Sequence, residues 1–143
     1  MFFQHINYLT VVIAAVVSMG VGFSWYSPAL FGKRWMKEMG TSEAEAEEYR
    51  KKMTSADKAR MYGAPLLMAL LNAFVVAVLL NSLVVTSIAG MAVFAFFVWL
   101  GFSMPVAANN AVFGKDSPVL FAINAGYQLV NILLASLIIG IWG

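Results

Sequence analysis

Most of the polar chemistry available to this chain lies in a few amides and tyrosines. Asn124, Gln128 and Asn131 are spaced four and three residues apart. On a helix turning about 100° per residue they fall at about 0°, 40° and −20°, with Tyr127 at about −60°. That is one narrow face. Asn72 sits in an earlier apolar run. Amides and a phenol donate and accept hydrogen bonds without carrying charge. Such a face can line a pocket for a small neutral or amphipathic molecule. It can equally tie helices together, at about 0.6 kcal/mol per bond on average. A second group is Trp25-Tyr26-Ser27-Pro28, followed by Phe31, Gly32 and Lys33. Its plain reading is structural: aromatics anchor at headgroups, proline breaks a helix and glycine permits a turn. Its functional reading is a gate or binding lip.

The chemistry that is missing is equally informative. The chain has no cysteine, so disulfides and thiolate chemistry are excluded. His5 is the sole histidine and makes neither a metal site nor a triad. It is read as an interfacial residue, with pH sensing as the alternative. All sixteen charged residues lie between Lys33 and Arg60 or at Lys115-Asp116. No acid–base pair or carboxylate ligand set can therefore be assembled in the apolar runs. The expectation is no enzyme, no cofactor and no metal, and no nucleic-acid partner.

The elements that must position these residues follow from the same charge map. The charge-free stretches are 1–32, 61–114 and 117–143. A bilayer core about 30 Å thick takes roughly 20 helical residues. The first and last stretches each make one span, and the middle one must turn once and make two. The fold class expected is an all-α membrane protein, a bundle of four transmembrane helices in a single domain over 1–143. The spans are placed at about 6–25, 64–80, 88–108 and 118–141. Pro65 is placed in the first turn of the second span, and Pro105 as a kink in the third. Turns are expected at 81–87 and 109–117, with Ser117 as N-cap and Pro118 as first helical residue. No basic residue precedes the first apolar run, so it is read as a retained span.

The connector, about 33–60, carries its own signals. Ser42 with Glu45, and Thr54 with Asp57, fit capping boxes. They predict a short helix over 43–53 and another from Ser55 leading into the second span. Glu47 with Lys51 and Glu48 with Lys52 are available as ion pairs. Trp35, Met36 and Met39 place the preceding residues on the membrane surface. Eight of the nine basic residues lie in this connector and the ninth is Lys115. By the positive-inside rule, loops 26–63 and 109–117 are cytoplasmic and both termini lie outside.

Two further patterns recur. Gly22-Phe23-Ser24 precedes Phe31-Gly32-Lys33, and Gly101-Phe102-Ser103 precedes Phe113-Gly114-Lys115. This echo suggests two parallel two-helix repeats. Ala14, Ser18 and Gly22 form a small-residue ridge that permits close approach, within the chain or between copies. Four such helices enclose little volume, so a transport path would need a homo-oligomer.

The run from Gly22 to Met36, with its Trp-Tyr-Ser-Pro and Leu-Phe-Gly-Lys, resembles the signature of domain of unknown function 1761. Trp99-Leu100-Gly101-Phe102 and Ile123-Asn124-Ala125-Gly126-Tyr127 are similar to that family's second half. The resemblance implies a small four-span bacterial membrane protein, hence the inner membrane with lipid as its surroundings. It implies no activity. It directs attention to Trp25, Tyr26, Ser27, Pro28, Phe31, Gly32, Lys33, Asn124 and Tyr127. The functional expectation is a non-enzymatic bundle, channel-like or ligand-binding, for an uncharged or amphipathic solute. The alternative is an interaction or scaffold protein that docks a partner through residues 33–60.

Overall fold

The structure, a computed structural model, describes residues 3–143, and all its regular elements are helices. Four of its helices are long and apolar enough to cross a membrane. Helix α1, Tyr8–Trp25, is the first. Asn7 caps it, its side chain accepting the Thr10 N–H at 3.3 Å. Short helices α2, Gly32–Met39, and α3, Glu43–Lys52, make up the connector. Helix α4, Ser55–Ser82, is the second span and its approach in one unbroken element. The third span, Ile88–Gly114, contains α5 (Ile88–Val98), a π-helical segment (Trp99–Ser103) and α6 (Met104–Gly114). Helix α7, Pro118–Trp142, is the fourth.

The caps explain the boundaries. Thr54 and Asp57 form a complete capping box at the start of α4. Ser42 accepts the Glu45 N–H at 3.1 Å at the start of α3. Ser117 accepts from Leu120 N–H, with Pro118 as first helical residue. Lys52 pairs with Glu48 at 2.9 Å, whereas Glu47 meets Arg50 at 3.8 Å rather than Lys51.

Three expectations need correction. Pro65 lies in the interior of α4, not in its first turn. It cannot donate to the Met61 carbonyl, and the helix tolerates this where Met61 to Met68 are exposed. Asn81-Ser82 and Asn109-Asn110 are helical rather than part of turns. The chain reverses over Lys115-Asp116-Ser117 alone, because Lys115 takes a left-handed conformation (φ 57°). The third irregularity is at Pro105. Instead of a plain kink, the turn before it widens, and Met104 N–H donates to Trp99 O, five residues back.

Packing centres on α7, which touches α1, α4 and the third span. The buried core includes Val11, Ala14, Ala15, Ala73, Ala77 and Ala135. Small side chains let the backbones approach, which is how helices associate in lipid. The ridge Ala14-Ser18-Gly22 is used within the chain: Ala14 and Ser18 are buried and Gly22 meets Tyr127. The neighbours of the first and third spans differ. The first packs on both α4 and α7, and the third packs extensively on α7 alone. Two parallel repeats of equal standing would give matching neighbours.

Burial also varies along the bundle. No residue of α1 beyond Ser18, none of α4 before Ala73 and none of α5 beyond Ala95 is buried. Only α7 is buried along most of its length, from Leu120 to Ile139. The spans are therefore tight at the end holding the termini and splayed at the end holding the charged connector.

Candidate functional site

The splayed end is where Trp25, Tyr26 and Phe31 meet Asn124 and Tyr127. As α1 ends, Tyr26 N–H donates to Gly22 O at 3.1 Å and Ser27 Oγ donates to Ser24 O at 2.7 Å. The chain folds back so that Gly32 N–H reaches Ser27 O at 2.9 Å. A side chain at Gly32 would collide with the Ser27 backbone. The Pro28 to Gly32 segment is thus a tight reversal, as its residue types suggest.

This reversal presses aromatic rings onto α7. Trp25 Nε1 donates to Ile123 O at 3.0 Å. Tyr26 Oη donates to Asn124 Oδ1 at 2.8 Å. The Tyr26 and Tyr127 rings meet edge to face at 5.4 Å, and Phe31 lies against Trp25 at 4.7 Å. From the opposite side Trp99, in the π segment, donates to Ala125 O at 2.8 Å. Two indoles thus grip one turn of α7 from two different spans.

Beside this cluster a cleft of about 470 Å³ opens between the third span and α7. Tyr26 lines it, and Asn124, Tyr127 and Gln128 line the α7 side. Ser103 and Asn110 line the other, with Asp116 at the charged end. Phe121 to Gln128 spans seven helical rises, about 10 Å of helix. The cleft offers hydroxyls and amides against apolar walls from Phe102 and Val106. That chemistry suits hydrogen bonding to a neutral solute.

The predicted polar set is only partly united. Asn124, Tyr127 and Gln128 share the cleft, but Gln128 is exposed rather than turned into the bundle. Asn131 is buried, its Oδ1 without a partner, and lies outside this cleft. Asn72 is half-buried on α4 and lines no part of it. Lys33 is exposed on α2, away from the cleft. Ser27 and Pro28 face a separate cleft between α1 and α4. Ser103 and Asn110 were not singled out from sequence. Their separation of seven residues, two helical turns, was the available signal. His5 lies at the other end of the molecule, in a pocket with Asn7 and Asn81.

A family model described as "Protein of unknown function (DUF1761)" matches residues 9–140. The chain belongs to this family. The match covers all four spans of the DUF1761 chain, the aromatic reversal and the cleft included. No curated protein and no solved structure matches the sequence.

Proposed function

We propose that this membrane bundle is non-enzymatic and binds, or passes, a small neutral or amphipathic molecule in the cleft between the third span and α7. One observation carries this reading. The Gln128 amide is exposed on an open cleft wall, on a helix otherwise built to sit in hydrocarbon. An amide facing lipid leaves its donors and acceptors unpaired, whereas a hydrated cleft or a bound solute satisfies them. Sidedness follows the charges: the connector and the Lys115 turn face the cytoplasm, in a bacterial inner membrane, and the termini face outward. Assembly of several copies belongs to this reading, because the third span makes its extensive contacts with α7 alone and the cleft between them is open.

The test is flux into proteoliposomes, with glycerol, urea and a broad panel of neutral solutes as probes. The wild-type chain is expected to admit at least one solute faster than empty vesicles do. Gln128→Leu should reduce that flux about tenfold or more, the effect of about 1.4 kcal/mol. No difference from empty vesicles across the panel, together with no binding by calorimetry, overturns the reading.

A docking role for the connector is the second reading. Helix α3 has no buried residue and makes no extensive contact with the bundle. Deleting 41–54 should then abolish recovery of a partner, and undiminished recovery argues against docking.

A further inference from the structure

The opposite side of the Tyr26–Tyr127 pair borders a second cleft of different chemistry, about 540 Å³ in volume. It lies where burial thins: no α1 residue beyond Ser18 and no α4 residue before Ala73 is buried, and there the helices meet through the Phe23 and Tyr62 rings at 6.0 Å. Its walls are apolar, with Met19 and Phe23 from α1 and Met61, Pro65 and Ala69 from α4. Met61 to Ala69 spans eight helical rises, about 12 Å along the α4 axis. Two methionines give the slot adaptable walls.

One cation stands at this cleft. Arg50 of α3 lines it beside Met61. Its ion pair with Glu47 is long, 3.8 Å, and both side chains are more than half exposed. The guanidinium is therefore open to a stronger, bidentate partner. The surrounding connector holds eight of the nine basic residues and six of the seven acidic ones, so it carries a modest net positive charge.

We propose that the α1–α4 cleft is a binding site for an anionic phospholipid, with an acyl chain between the helices and the phosphate on Arg50. The two halves of the slot ask for one molecule that is both apolar and anionic. A neutral lipid leaves Arg50 idle. Free phosphate leaves about 12 Å of apolar wall unoccupied. The bilayer supplies the occupant at high local concentration, and juxtamembrane basic residues attract its anionic headgroups. The site lies across the Tyr26–Tyr127 pair from the cleft between the third span and α7, sharing those two residues with it; it is tested by lipid retention and not by solute flux.

Native mass spectrometry of the full chain, delipidated in detergent, tests this. The probes are phosphatidylglycerol and phosphatidylcholine with identical chains, and inorganic phosphate. Wild type is expected to retain one phosphatidylglycerol about fivefold or more over phosphatidylcholine, the effect of one basic residue at an anionic headgroup. Arg50→Gln should bring the ratio to about one without changing the unfolding temperature, since Arg50 is exposed. Ala69→Phe should lower retention of both lipids by filling the slot. Equal retention of the two lipids by wild type overturns the proposal. So does a preference that survives Arg50→Gln, retention indifferent to Ala69→Phe, or displacement of the lipid by inorganic phosphate.

Discussion

A methyl group at Gly22 would sit 2.9 Å from the Tyr127 hydroxyl oxygen and 3.4 Å from its ring carbon. The Gly22→Ala variant is therefore expected to lose about 1–3 kcal/mol, the usual cost of overfilling a packed site. Tyr127→Phe removes the closer atom and should recover most of that loss in the double variant. Thermal unfolding of the four proteins in detergent micelles reads the cycle, and simple additivity would show that the two residues do not meet. Gly32 is the other tight position, held against the Ser27 backbone. Its need for glycine was legible, because Pro28 to Gly32 must reverse the chain between two helices. The landing places of Trp25 and Trp99 were not. An indole bonded to the carbonyls of Ile123 and Ala125 depends on which helices are neighbours, and one sequence carries no record of that pairing. The same gap explains Gln128. Helical spacing put it on a face with Asn124 and Asn131, but in the bundle Gln128 is exposed while Asn131 is buried.

Helix boundaries were legible wherever a cap marks them, as at Thr54 and Ser117. They were misread where a turn residue tolerates the helix, as at Asn109-Asn110. The Thr54 box also makes a prediction about acid. Thr54 backbone N–H and hydroxyl both donate to the Asp57 carboxylate, at 3.0 and 2.9 Å. The backbone bond, then the hydroxyl, holds this carboxyl below the ordinary aspartate range. A depressed value means the folded end of α4 resists protonation more than the frayed one. The stabilisation is therefore complete above the ordinary carboxylate pKa and is lost as pH falls through the lower, folded value. Chemical shifts of Ser55 to Lys58 should drift toward coil in that acidic window. Asp57→Asn should abolish the pH dependence, and an identical acid drift in the variant would refute the assignment. At the π segment, Pro105 announced an irregularity without its form. The widened turn satisfies Met104 N–H through Trp99 O, and the same turn carries Trp99 toward α7.

The four spans were legible from charge-free length alone, because hydrocarbon tolerates little else. Their arrangement was not, since lipid-facing and helix-facing residues here are equally apolar. Alanines line the seam together with aliphatic residues such as Leu80, Met91 and Ile132, while Phe97, Phe102 and Phe113 are exposed. The proposed sidedness is tested on whole cells with a membrane-impermeant amine reagent. Lys51 and Lys115 should stay unmodified while a tag at the C-terminus is accessible. Modified lysines with a shielded tag would reverse the orientation. The gradient of burial has a mechanical consequence as well. The alanine seam and the hydrogen bonds from Thr10 and Asn7 to the Trp142 carbonyl lock one end, while the other is held by a few aromatic clasps. Under heat or load the protein should unzip from its cationic mouth, with the first amides to exchange near Met61 and Val106 and the last near Ala77 and Ala135.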